Sequence, residues 1–173
     1  MASIPHPAAL PENELLRDCE IRQTRGSGPG GQHRNKVSTM LVIRHRPSGL
    51  VGQAGERRSQ QANREQAIRR LRIALALGIR QDRAEGVAAG LPEFWKRRLA
   101  SGEIRVSAEH RDFPAALALV LDAFHHRHYD LSSVAGDLGC SASQLVRLLA
   151  REPEALLRVN RQRDQLGLRP LRS

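Results

Sequence analysis

Apolar positions along this chain follow a two-residue period early and a helical period later. Pro11-Glu12-Asn13-Glu14-Leu15-Leu16 sets proline and acids ahead of two leucines, the opening of a short helix. From Cys19 to Arg25, Cys19, Ile21 and Gln23 alternate with Glu20, Arg22 and Thr24, which predicts a strand. Ser38 to Arg46 carries Met40, Leu41, Val42 and Ile43 and predicts a second strand. Pro47-Ser48-Gly49 is a turn, and Leu50 to Glu56 returns as the partner in a hairpin. Ser59 then caps a helix running to about Leu77. Its apolar stripe is Ala67, Leu71, Ala74 and Leu75, with Arg64, Arg69, Arg70 and Arg72 on the remaining faces. Residues 78–90, with three glycines, several alanines and mixed charge, read as a linker or frayed helix. Beyond them the pattern is helix after helix: Pro92–Ala100, Pro114–His128, Leu131–Leu138, Ala142–Arg151 and Pro153–Leu166.

This order predicts an α+β fold. A small unit of strands with one covering helix occupies residues 1–80, a linker 81–91, and an all-helical domain 92–173. No internal repeat or low-complexity tract interrupts it.

Charge changes this picture by singling out one half. The chain carries a net +10, and the window from Arg22 to Arg72 holds twelve Lys or Arg against two acids, Glu56 and Glu65. All of the surplus therefore lies in the first unit, as a polyanion-binding face requires, while the helical half is balanced. No long apolar run or apolar-basic anchor accompanies that charge, so no membrane partner is expected. The five aromatics, Phe94, Trp95, Phe113, Phe124 and Tyr129, all lie beyond position 93, so the basic half has no aromatic platform for stacking bases and must use charge and shape. Cys19 and Cys140 are far apart and match no metal spacing, and Met1–Leu10 has neither the charged nor the apolar region of a secretion signal. A reduced, cytoplasmic chain without metal or cofactor is the expectation.

Within the basic window, Arg25-Gly26-Ser27-Gly28-Pro29-Gly30-Gly31-Gln32-His33-Arg34-Asn35-Lys36 joins a glycine-rich tip to a run of cations. Four glycines and a proline in six positions exclude helix and regular strand. Gln32 has no useful pKa and cannot serve as general acid or base. It can donate and accept hydrogen bonds, and two preceding glycines let its backbone N–H approach a developing oxyanion. No Ser-His-Asp set, metal cluster or phosphate-cradling GxxxxGK[ST] accompanies it. Assistance at another catalyst's centre is the chemistry left.

Gly28-Pro29-Gly30-Gly31-Gln32-His33, Asn35-Lys36, the hairpin Arg44-His45-Arg46-Pro47-Ser48-Gly49-Leu50-Val51, and Glu56-Arg57-Arg58-Ser59-Gln60-Gln61-Ala62-Asn63-Arg64 occur here in order. Over roughly residues 13–77 the chain thereby resembles the catalytic domain of the class I peptide chain release factors. The resemblance implies a loop that enters the ribosomal peptidyl transferase centre and promotes hydrolysis of the peptidyl-tRNA ester, an activity expressed only with the ribosome. It implies that Gly30 and Gly31 shape the loop, that the Gln32 N–H stabilises the transition state, and that the Gln32 side chain helps select water. It also makes Gln32 the expected site of N5-methylation by a glutamine methyltransferase. Arg34 departs from the apolar or small residue usual at its position. Arg25, His33, Arg34, Asn35, Lys36, Arg57, Arg58, Arg64, Arg69 and Arg70 are the expected contacts to large-subunit rRNA.

Release factors of standard length carry a stop-codon-reading domain for which 173 residues leave no room. The resemblance is therefore to the short ribosome-rescue members, acting as codon-independent monomers on stalled ribosomes or separated large subunits. Some of these probe the mRNA channel with a very basic tail, but residues 151–173 hold six arginines against three acids, weak for that purpose.

The segment from Val134 to Leu149 has helix-turn-helix spacing, with Gly139 at the turn and Leu145 and Leu148 in the second helix. As a nucleic-acid reader it would present Ser143, Gln144 and Arg147. With only Arg147 and Arg151 near that face, a helical bundle is the favoured reading. His125, His126 and His128 fit a helix C-terminal cap better than a metal site. Phe94 and Trp95 fit a packing anchor better than an RNA stack. The alternative to peptidyl-tRNA hydrolysis is a non-catalytic nucleic-acid- or ribosome-binding regulator using the helix-turn-helix-like region.

Overall fold

A computed structural model describes residues 5–25, 39–81, 90–100 and 102–172. The architecture is mixed, with seven α-helices and two small antiparallel sheets among these residues. After a 3-10 turn at Pro7–Ala9, α1 (Glu12–Arg17) starts behind Pro11, with Glu12 and Glu14 in its first turn, Arg17 in its last, and Leu15 fully buried.

Three strands follow, β1 (Cys19–Arg25), β2 (Thr39–His45) and β3 (Val51–Ala54), in the order β1-β2-β3 and antiparallel throughout. The register pairs Ile21 with Ile43, Ile43 with Gly52, and Arg25 with Thr39. Arg46 N–H extends the first pairing by donating to Asp18 O at 2.9 Å. The β2–β3 turn closes through His45 N–H to Leu50 O (2.9 Å) and Gly49 N–H to His45 O (2.8 Å), with Gly49 at φ +71°. Leu41, Ile43, His45, Gly52 and Ala54 face inward, and Arg44, Val51 and Gln53 face out, the alternation a half-covered sheet demands.

Helix α2 (Gln60–Gly78) lies across that inner face. Its Ser59 cap accepts Ala62 N–H at 3.3 Å. Gly52 sets the closeness of the approach. A Cβ built there would stand 2.2 Å from Ala67 O and 2.3 Å from Leu71 N. The expected stripe of α2 needs one correction: Ala67, Leu71 and Leu75 are buried, Ala74 is only half-buried, and Ile68 and Ala76 are buried in addition. The reason is a second partner. Helix α4 (Phe113–His126) packs on another side of α2, so α2 is covered on two flanks.

Between them come α3 (Glu93–Arg98) and a hairpin of two-residue strands, β4 (Leu99–Ala100) and β5 (Glu103–Ile104), turning at Gly102 with φ +77°. An expectation of helix after helix missed this hairpin, whose strands are too short to show a period. Tertiary contacts hold it: Ile104 N–H donates to Gln144 Oε1 at 2.6 Å, and Arg151 donates to Val106 O. Helix α4 is apolar on nearly every side and correspondingly buried, from Phe113 through Phe124. Helices α5 (Leu131–Leu138), α6 (Ala142–Ala150) and α7 (Pro153–Gln165) complete the chain. Asp130 caps α5 at Ser133 N–H (2.8 Å), and Gly139, in the left-handed region at φ +68°, ends it.

One apolar core runs from Leu15 and Ile43 through Leu71 and Leu117 to Leu145 and Leu171. A buried ion pair sits at its edge. Asp122, 2% exposed, accepts from Arg80 (3.1 Å) and from Gln81 N–H (3.2 Å), while the other amino group of Arg80 caps α2 at Ala76 O and Leu77 O. Burial raises the Asp122 pKa, opposed by His6, the Gln81 N–H and Arg80. No helix among the described residues is long and apolar enough to cross a membrane.

Candidate functional site

The glycine-rich segment, with Gly30, Gly31, Gln32, His33, Arg34, Asn35 and Lys36, lies outside the described residues, as does most of the expected linker. The structure describes the frame that holds the segment. Its flanking residues, Arg25 and Thr39, are directly paired across the β1–β2 ladder.

At the turn between β3 and α2, Arg57 and Arg58 are exposed, with no side-chain partner among the described residues. Asn63 fixes this turn. It is 3% exposed, and its amide takes Arg57 N–H on Oδ1 and gives Nδ2–H to Arg57 O, both at 2.9 Å. An asparagine in the first turn of a helix, just after a basic turn, is a signal in the sequence for such a backbone clamp. Sequence reasoning placed Asn63 within a motif and gave it no role of its own.

The arginines of α2 are held differently. Arg64 pairs with Glu12 at 2.9 Å, and Arg70 pairs with Glu56 at 2.7 Å while donating to Gln53 O. Arg69 donates to Ala108 O at 2.6 Å and Arg72 to Ala8 O at 2.8 Å, and burial lowers the pKa of Arg72. Intrahelical i,i+4 acids are scarce, as the sequence suggested, but acids and carbonyls from other elements take their place. The hairpin motif is structural in the same way. Nδ1 of buried His45 lies 2.7 Å from Ser48 Oγ, and desolvation lowers the His45 pKa. Arg46 donates to Arg17 O at 2.5 Å.

In the second half, Trp95 is fully buried and its Nε1–H donates to Leu138 O at 3.0 Å, the anchor of α3. Phe94 is half-buried. On α6 and at its C-cap, Gln144 and Arg151 hold the small hairpin, and Ser143 and Arg147 are exposed. The last described residues fold back on α7: Asn160 exchanges two hydrogen bonds with Leu171 (2.7 and 3.0 Å), and Arg163 donates to Arg169 O and Tyr129 O. His125, His126 and His128 are exposed at the end of α4. Among the described residues no group of three or more His, Cys, Asp or Glu is placed to hold a metal ion.

A basic turn clamped beside a sheet whose first hairpin carries a glycine-rich insert is a recognisable constellation. The RF-1 domain family model matches residues 13–110, more than half of the chain, and the chain belongs to the RF-1 domain family, that of the class I peptide chain release factors. Among its relatives is peptide chain release factor 1 of Geobacter metallireducens, 33% identical over 113 residues (62% of this chain, 31% of that protein). Peptide chain release factor 1 of Caldicellulosiruptor saccharolyticus is 42% identical over 74 residues (39% and 21%). Peptide chain release factor 2 of Buchnera aphidicola is 46% identical over 59 residues (34% and 16%). The chain thus spans less than a third of the length of these relatives. No solved structure matches it.

Proposed function

We propose that the chain promotes hydrolysis of the ester joining nascent peptide to tRNA, within the ribosomal peptidyl transferase centre and without reading a codon. The observation that carries this reading is the location of Gly30-Gly31-Gln32: inside the RF-1 domain match, and between two strand ends that are paired with each other. In this reading water attacks the ester carbonyl, and the bond to the tRNA ribose oxygen breaks to leave a free peptide carboxyl and a tRNA hydroxyl. The Gln32 backbone N–H donates to the oxygen on which charge develops, Gly30 and Gly31 allow that approach, and the side-chain amide restricts the nucleophile to water. Arg25, Arg34, Lys36, Arg57 and Arg58 neutralise rRNA phosphates around it, and His33 and Asn35 add hydrogen bonds to the same backbone. Gln32 is the substrate of a glutamine methyltransferase, and the protein works as a cytoplasmic monomer.

Two observations bear on the surface that the chain would present to the ribosome. The helices beyond the family match share the core of the catalytic unit through α2 and α4, so they present a surface continuous with it. The described residues after α7 are tied to it through Leu171 and Arg163, so residues 166–172 are part of that folded surface. A nucleic-acid-reading α6 has less support, because Gln144 and Arg151 already serve the hairpin.

The test is peptide release in vitro on ribosomes stalled without a stop codon and on isolated large subunits carrying peptidyl-tRNA. Wild-type protein is expected to release peptide from at least one of them. Gly31→Ala is expected to lower the rate by about two to three orders of magnitude, because the added methyl group hinders the approach that brings the Gln32 N–H to the developing oxyanion, with binding retained; Gln32→Ala, which keeps that N–H, should chiefly admit nucleophiles other than water. Intact peptidyl-tRNA in both reactions would refute the reading.

A further inference from the structure

A groove of about 950 Å³ opens between α2, α3, the 3-10 turn and the connection leading into α4. Its lining includes Arg57, Arg69, Arg72, Arg97, Arg111 and the ring of Phe94. These cations come from three separate stretches of chain, so their convergence is a product of the fold and invisible to a count along the sequence. Arg69 and Arg72 are each held by one backbone carbonyl, Ala108 O and Ala8 O. A guanidinium has five N–H donors, so both keep donors to give, and Arg69 Nε is buried with no acceptor among the described residues. Arg97 is exposed and makes no hydrogen bond or close ion pair among the described residues, though its charge is felt by Glu93, and Arg111 is 86% exposed, with the neighbouring Asp112 at 3.7 Å.

Four acids also border the groove, and three of them already have partners. Glu12 is paired with Arg64, Asp112 with Arg98 at 2.9 Å, and Glu65 accepts from Gln61 at 2.8 Å. Glu109 stands at the rim. With two of the four acids neutralised by arginines from outside it, the groove keeps a surplus of guanidinium donors beside the half-buried Phe94. The two aromatics of α3 have separate placements: Trp95 is sealed in the core against Leu138 O, whereas Phe94 borders the groove. Phosphate on arginine forks and an unpaired base on an aromatic ring are the two halves of single-strand recognition.

We propose that this groove binds single-stranded RNA, with phosphates on Arg69, Arg72, Arg97 and Arg111 and an unpaired base against Phe94. It deepens the ribosomal reading by adding a second RNA-binding surface, where the α2 edge meets the second half of the chain. It rests on that reading only for the source of the RNA.

The experiment measures binding of a fluorescently labelled single-stranded RNA oligonucleotide to the full chain over a range of salt, against a duplex RNA of equal length and an acidic peptide. Wild-type protein is expected to prefer the single strand. Arg97→Glu with Arg111→Glu should lower affinity at least tenfold and flatten the logarithmic salt slope by about 0.7 for each phosphate no longer neutralised. Phe94→Leu should lower affinity severalfold and leave the slope unchanged. Arg44→Glu, the same charge change on the outer face of the sheet, should do much less, and circular dichroism checks that all variants are folded. Equal effects from Arg44→Glu and the double variant would overturn the proposal, as would a double variant that loses duplex binding as much as single-strand binding, or tighter binding of the acidic peptide. The assay contains no ribosome and no peptidyl-tRNA, so a failure of peptide release leaves it standing and its own failure leaves release untouched.

Discussion

The two flanks of α2 are buried by opposite means. Toward the sheet the packing is apolar and close, backbone against backbone, with Gly52 beneath Ala67 and Leu71. Toward α4 it is apolar in its middle and ionic at its end, where Arg80 and Asp122 meet beside buried His6. A helix covered on two sides has only two narrow edges left for its polar residues. That is why Arg64, Arg69, Arg70 and Arg72 all find partners inside the chain. Among the described residues, the cations beside the helix with no side-chain partner at all are the two at the turn before it, Arg57 and Arg58.

The ionic flank should be the more sensitive to removal of one partner. Asp122→Ala leaves Arg80 partly buried without its counter-charge and is expected to cost about 3 kcal/mol in urea unfolding. A change below about 1 kcal/mol would show that solvent reaches Arg80 freely and that the two flanks do not differ in kind. On the apolar flank, Gly52→Ala places a methyl group against Ala67 O and Leu71 N, where only backbone movement can relieve it. About 2–3 kcal/mol is expected, the upper part of the overpacking range. If the variant proves as stable as wild type, the sheet and α2 are further apart than the interatomic distances indicate.

Much of this frame was legible in the sequence because it is locally encoded. The alternation of Cys19–Arg25, the Ser59 cap and the Pro47-Ser48-Gly49 turn each act within a few residues, and each appears where expected. The second flank of α2 was not legible. Ile68 and Ala76 look like ordinary helix positions until α4, some forty residues on, supplies what covers them. The β4–β5 hairpin was hidden for the same reason, since Gln144 and Arg151 fix it from forty or more residues away. For the candidate site the sequence was the richer source: Gln32 and its glycines were picked out by motif, whereas the structure contributes the paired ends at Arg25 and Thr39 and the Asn63 clamp. The partners of Arg64 and Arg70 lie 52 and 14 residues away, at Glu12 and Glu56, so charge counting along the helix overstated how many arginines stand free.

The smallest expected effect sharpens that last point, by setting two exposed arginines of one helix–turn unit against each other. Arg70 is committed to Glu56 and Gln53 O, at a surface where an ion pair contributes at most about 1 kcal/mol. Arg58 has no side-chain partner among the described residues, and its replacement should change stability by no more than about 0.5 kcal/mol. For RNA the order should reverse. Arg58→Gln removes a free cation and is expected to weaken binding to large subunits, lowering the salt slope by about one for a phosphate on duplex rRNA. Arg70→Gln removes a cation whose charge Glu56 already balances, and should leave both affinity and slope near wild type. Equally weakened binding by the two variants would mean that the Arg70–Glu56 pair opens on the ribosome, and that commitment inside the free chain does not predict which arginines meet RNA.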